Sequence, residues 1–153
     1  MLDKLDKEIL RLLQVDAGQS VSDIAEQVGL TQTPCWRRIQ VLEQKGVIQS
    51  RVALLDPNKL NVGLTVFVQV KALKHDDKWL AQFAAHTQAL EQVTEIHRMS
   101  GEYDYLLKVM VADMASFDHF YKKLVAGIEL SDVTSSFSME KIKYTSALPL
   151  NHI

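Results

Sequence analysis

The sequence predicts an α+β chain in two parts, an N-terminal winged helix-turn-helix followed by a βαββαβ domain of the ferredoxin-like, ACT-like kind. Three observations carry that expectation. Apolar residues recur at helical spacing in three short runs before Gly46. A turn-rich stretch, "DPNKLNVG" from Asp56 to Gly63, then interrupts every periodicity. Beyond it, alternating β-branched runs trade places with two longer amphipathic runs. The expected divisions are residues 1–55 for the first domain, 56–63 for a linker and 64–153 for the second domain.

The first helix is expected from Leu2 to Gln14. Leu5, Ile9, Leu12 and Leu13 fall on one stripe, and Asp3 can cap the start. "DAGQS" breaks the pattern. The second helix runs from Ser20 to Val28, with Ser20 and Asp23 forming the aspartate variant of a capping box and Gly29 as its stop. The third starts near Thr31 to Pro34, because proline's missing N–H goes unused in a first turn, and ends at Gly46. "VIQSRVALLD" alternates well enough for a short hairpin, the wing, or for a strand entering the linker. In the second half, "TVFVQVKAL", "VTEIHRM", "DYLLKVMVA" and "VTSSFSMEKIKYT" read as strands. "DDKWLAQFAAHTQAL" and "SFDHFYKKLVAGI" read as helices between them, the latter with Phe117, Phe120, Tyr121, Leu124 and Ile128 on one face.

A chain of 153 residues can bury its own core without covalent staples. Its 47% hydrophobic and 24% charged residues exclude the disordered, collagenous and low-complexity classes. The single cysteine rules out an internal disulfide and suits a reducing cytoplasm. The start, "MLDKLDKEILRLL", mixes acids and bases among its leucines, unlike a signal peptide, and no apolar run nears the ~18 to 20 residues of a membrane span. A cytoplasmic protein is expected. A net charge of −2 argues against general stickiness toward nucleic acid. Yet from Gln32 to Arg51 the chain sets Arg37, Arg38, Lys45 and Arg51 against Glu43 alone.

The third helix explains that concentration. With Ile39 facing the core and ~100° of rotation per residue, Cys35 and Leu42 fall inward, while Thr33, Arg37, Gln40 and Gln44 point outward. Arg38 and Trp36 lie on opposite flanks. A polar, cationic face on the N-terminal half of such a helix is the part that meets base edges in the major groove of double-stranded DNA. Arginine matches guanine there, and glutamine matches adenine. The expected DNA-contact set is Gln32, Thr33, Arg37, Arg38, Gln40 and Arg51, the first two near the helix start where N–H groups suit a phosphate. The plain alternative for the arginine pair is a solvated helix face. Trp36 packs against the first helix or a neighbouring subunit, or touches a base. Cys35 is a thiol activated at a helix N-terminus or a small buried hydrophobe.

Taken together, "LDKEILRLLQVDAGQSVSDIAEQVGLTQTPCWRRIQVLEQKGVI", "ALLDP" and "GEYDYLLKV" resemble the Lrp/AsnC, or feast/famine, transcriptional regulators, over about Leu2 to Leu148. The resemblance implies a DNA-binding domain joined to an effector-binding and oligomerisation domain. It implies homodimers that pair through their sheets and build an octamer on promoter DNA. It implies an amino-acid effector between dimers and no other cofactor, with leucine or methionine expected and cysteine a further choice. The family's G-x-Y-D loop falls on Gly101, Tyr103 and Asp104, and its last-strand segment on Thr134, Ser135 and Ser136. Asp104 would take the effector's ammonium group. The Gly101 loop, with hydroxyls and backbone groups of Thr134, Ser135 and Ser136 from an adjacent dimer, would take its carboxylate. Met99, Leu106 and Met114 are candidates for an apolar side-chain pocket. By its residues alone, "SGEYD" also reads as a hairpin turn and "VTSS" as ordinary strand.

Other classes find less support. An enzyme would draw on His97, Glu102, Asp104 and His119, but no nucleophile elbow, phosphate loop or dinucleotide fingerprint accompanies them. A metal sensor would draw on Cys35, His75, His86, His97, His119 and His152, which lack ligand spacing. A pure protein-interaction module would show no salt-dependent DNA binding.

Overall fold

In the computed structural model, which describes residues Met1–Ile153, helices α1 (Lys4–Val15), α2 (Val21–Val28) and α3 (Gln32–Gln44) build the first of two units. α1 starts where Asp3 accepts from the Asp6 N–H and Asp6 accepts in return from the Asp3 N–H, a reciprocal capping box. Ser20 caps α2 by accepting from the Asp23 N–H at 3.0 Å. Gly29 ends it with φ 73°, the left-handed conformation in which a side chain would be strained. Thr31 precedes α3 without a side-chain capping bond, contrary to expectation. Ile9, Leu10, Ile24, Ala25, Val28, Cys35, Ile39 and Leu42 form the core of this unit. The inward triplet of α3 is the one its 3.6-residue period demands.

Two features differ from the sequence-based expectation. Residues 47–55 run without strand structure, so there is no hydrogen-bonded wing. The Val47 and Ile48 N–H groups bond back to the Leu42 carbonyl, and past them no second strand runs alongside to complete a ladder. The tail also belongs elsewhere. Ile142–Ile153 groups with Met1–Leu54, and the second unit is Leu55–Lys141. Leu150 packs on the helical core. The Gln14 amide brackets Leu148, accepting from its N–H at 2.6 Å and donating to its carbonyl at 3.2 Å. Arg11 donates to Asn151 at 3.0 Å.

The second unit contains β1 (Leu64–Ala72), α4 (Asp77–Gln88), β2 (Val93–Arg98), β3 (Tyr105–Val111), α5 (Met114–Gly127) and β4 (Leu130–Phe137). The sheet is antiparallel in the order β2-β3-β1-β4. β4 stops at Phe137, well short of the expected run to Thr145. β1 begins at Leu64, so the Ser138 N–H bond to the Thr65 carbonyl is the last its neighbour can offer. Both helices cover one face. Val66, Val68, Val70, Leu107 and Val109 pack there against Trp79, Phe83, Phe117, Phe120 and Leu124, each large side chain contributing roughly 1.5–3 kcal/mol. The opposite face, carrying Phe67, Gln69, Lys71, Leu106, Lys108 and Met110 by strand alternation, has no helix over it. No helix of the chain is long and apolar enough to cross a membrane.

α4 and α5 meet at His86. Its Nε2–H donates to the Lys123 and Leu124 carbonyls at 3.1 and 3.0 Å, and Leu124 begins the last turn of α5, where carbonyls lack helical partners. The ring fills the space that a Cβ on Gly127 would need. Gly127→Ala should therefore push His86 off those carbonyls and destabilise the protein by about 1–3 kcal/mol. Urea unfolding checks this: the midpoint should fall with the slope unchanged.

Candidate DNA-binding and effector sites

The outward face of α3 sorts its cations into two kinds. Arg38 is held in a two-acid clamp, its Nη1 lying 2.7 Å from Asp3 Oδ2 and 2.8 Å from Asp6 Oδ1. The same two carboxylates cap α1, so the clamp fastens the start of α1 to α3. The Asp6 N–H, and then Arg38, hold the Asp3 carboxyl below the usual range. Asp3 and Asp6 in turn raise the Arg38 guanidinium. Arg38 was expected to contact DNA from the helix flank; here its charge is matched by Asp3 and Asp6. Arg51 pairs with Glu43 at 2.8 Å, and Glu43 also accepts from Gln40 at 3.2 Å. Gln32, Thr33 and Arg37 are exposed, and Arg37 forms no ion pair.

The two open questions on α3 resolve differently. Cys35 is fully buried, and that burial pushes its thiol up against a smaller lowering from Arg38. It is a core residue and not an activated nucleophile. Trp36 is 50% exposed and stands outside the helical core.

In the second unit the G-x-Y-D loop joins β2 to β3. The Met99 N–H donates to the Asp104 carbonyl at 2.7 Å, closing the loop. Gly101 sits at φ 149°, a conformation that favours glycine. Asp104 is half-buried and works for the fold: its Oδ2 accepts from the Ala72 N–H at 2.7 Å, at the irregularity in the β1–β4 register. Its other carboxylate oxygen keeps its accepting capacity. Tyr103 reaches across the sheet to β4, with its hydroxyl 2.8 Å from Thr134 Oγ1 and 3.2 Å from Asp132 Oδ2. A carboxylate only accepts, so Tyr103 donates to Asp132 and takes the Thr134 proton.

The register separates the three expected hydroxyls. Thr134 and Ser136 pair with Gln69 and Phe67 and share the open face. Ser135 pairs with the buried Val68 and points to the helix side. The hydroxyls of Thr134 and Ser136 therefore share a face that the Ser135 hydroxyl does not, by the two-residue period of the strand. Met99 and Met114 are exposed and do not join Leu106 in a pocket. Asp132 was not foreseen; only the pairing of β1 with β4 brings it to Tyr103. A groove of about 1280 Å³ lies beside it, lined by Trp79, Tyr121, Glu129 and Asp132 among others. His97 pairs with Glu95 at 2.9 Å, Lys108 joins that carboxylate at 3.2 Å, and His97 followed by Lys108 holds Glu95 below its ordinary range. His119 stands exposed on α5. No three His, Cys, Asp or Glu side chains come together as a metal site.

The Lrp/AsnC ligand binding domain profile matches residues 65–148, and a winged helix-turn-helix DNA-binding profile matches residues 2–49. The chain belongs to the Lrp/AsnC family. It is 50% identical to the DNA-binding transcriptional activator DecR of Escherichia coli strain K12, over 98% of this chain and 99% of the relative. A solved AsnC family transcriptional regulator from Agrobacterium tumefaciens is 51% identical with a TM-score of 0.97, covering 99% of both chains. A transcriptional regulator from Neisseria meningitidis, solved as a complex with L-methionine, is 37% identical with a TM-score of 0.95, again over 99% of both chains. This Lrp/AsnC protein is accordingly a DNA-binding transcriptional regulator that carries the family's ligand-binding domain.

The clamp gives a pH prediction for this Lrp/AsnC chain. Asp3→Ser keeps a capping oxygen but removes the charge. Asp3 titrates below its ordinary value in the folded state, so the stability it confers is complete above the unfolded value of about 4 and is lost as pH falls through the depressed folded one. Thermal melts from neutral pH into the acid range should show wild type ahead of the variant, with the gap closing only in acid. A gap independent of pH would mean the charge contributes nothing.

Proposed function

We propose that this regulator reads a roughly palindromic site through α3 of two protomers, with Arg37 as the principal base contact, and that a free amino acid adjusts its assembly or DNA affinity. It acts in the cytoplasm as a homodimer assembling to an octamer, without catalysis and with the amino acid as its one small-molecule partner. The observation that carries the reading is the ion pairing of the first unit. Arg38 and Arg51 are each matched to carboxylates, whereas Arg37 is exposed and unpaired on the side of α3 opposite Ile39. Gln32 and Thr33 lie exposed at the start of the same helix, where N–H groups suit a phosphate. Arg38 joins the contact set only if DNA displaces Asp3 and Asp6, and Arg51 reaches a flanking phosphate only if it leaves Glu43.

The effector reading rests on Tyr103, Thr134 and Asp104. The Tyr103–Thr134–Asp132 chain gathers hydroxyls beside a carboxylate, and Asp104 keeps an oxygen able to accept from an ammonium group. Ser136 shares the open face with Thr134, and Gly101 lies in the same loop as Tyr103. Ser135 contributes through its backbone alone. Because the Neisseria meningitidis relative was solved with L-methionine, methionine is the first ligand to test, then leucine and cysteine. The helix-free sheet face, with Phe67 38% exposed, supports pairing of protomers sheet to sheet.

Arg37→Ala should weaken specific duplex binding by roughly tenfold or more and lower the salt slope by about one, with an unchanged melting temperature. Wild-type affinity in that variant would remove α3 as the reading helix. A thermal-shift panel of the twenty amino acids should show one or two that raise the melting temperature of the wild type. Tyr103→Phe should diminish that rise while DNA affinity without the amino acid is retained. An undiminished rise would place the ligand elsewhere.

A further inference from the structure

Glu43 is the only acid between Gln32 and Arg51. It lies on the helix assigned above to face DNA, where a bare carboxylate would repel phosphates. Neither of its oxygens is bare. Oε2 accepts from Gln40 Nε2 at 3.2 Å, and Oε1 accepts from Arg51 Nη2 at 2.8 Å. We propose that Glu43 is a positioning residue for base recognition, fixing which way round the Gln40 amide faces and holding Arg51 beside it. The inference rests on the reading of α3 as the recognition helix.

The physical basis is the asymmetry of an amide. A glutamine side chain carries an acceptor at one corner and donors at the other, and in free solution it presents either. A carboxylate only accepts. Beside Glu43 the amide must turn its nitrogen inward, because the flipped form would set oxygen against oxygen. Gln40 Oε1 is then left facing away from Glu43, with one N–H still available. An outward carbonyl oxygen matches an amino group, adenine N6 or cytosine N4, and rejects the acceptors guanine O6 and thymine O4. Arg51 meanwhile neutralises the carboxylate, so the acid can sit close to phosphates with little repulsion.

The test compares full-length wild type, Glu43→Gln, Gln40→Ala, the double variant and Arg37→Ala. Each selects duplexes from a random-sequence DNA pool, and affinities for the recovered site are then measured across salt. Glu43→Gln is isosteric and should melt with wild type. It should bind random DNA at least as tightly, with a salt slope steeper by about one as Arg51 is released. It should lose roughly tenfold of its preference at a single base pair. Gln40→Ala should lose preference at that same pair, and the double variant should lose no more. Uniformly tighter binding with every base preference intact would overturn the proposal, leaving Glu43 as a merely repulsive charge. If Arg37→Ala also binds as wild type does, the fault lies in the assignment of α3. Weak binding by Arg37→Ala together with intact preferences in Glu43→Gln puts the fault in the role given to Glu43.

Discussion

The two-residue alternation of β1 is the constraint on which the second unit depends. β1 pairs with β3 on one side and β4 on the other, so its choice of inward residues is imposed on both neighbours. Val66, Val68 and Val70 are fully buried, which leaves Phe67, Gln69 and Lys71 for the open face. A slip of one residue against β4 would exchange Ser135 for Thr134 and Ser136 on that face. It would also separate Tyr103 from Thr134. The hydroxyls available to a ligand are therefore set by the burial of three valines, not by local preferences of the strand that carries them.

In the first unit, the fold draws on arginines beside the helix proposed to read DNA. Asp3 and Asp6 each do two jobs, capping α1 and clamping Arg38. The clamp is half open to solvent, where an isolated pair contributes little. Two carboxylates on one guanidinium, both already oriented by backbone N–H groups, have less side-chain entropy to lose. What remains of the positive charge along α3 is Arg37, with Lys45 just past its end. A chain of net charge −2 thus presents a focused cation where a recognition helix needs one, and keeps its other surfaces from attracting nucleic acid indiscriminately.

Much of this was legible in the residues, for local reasons. The inward triplet Cys35, Ile39 and Leu42 follows from helical period. The β-α-β-β-α-β order follows from alternation and turn chemistry. Asp3 and Ser20 announced their caps. The failures share a different cause, since each depends on a partner far along the chain. Arg38 meets acids more than thirty positions earlier. The bond of Asp104 to a backbone N–H on β1 was not foreseen, and Ser135 is turned away by its register with Val68. The wing failed for the converse reason: its alternating residues were readable, but a strand needs a neighbour, and none lies beside it within the chain. β4 ended early on the same principle.

The docking of the last twelve residues onto α1 has a consequence for how the molecule is made. A chain emerging from the ribosome ordinarily completes its N-terminal domain first. Here α1, α2 and α3 can gather their core early, but the outer side of α1 lacks Leu148, Leu150 and Asn151 until residues 148–151 have been made. Of the two units, the one that begins folding first is finished second. Completion of the DNA-binding unit therefore waits until the whole of the second unit has been synthesised.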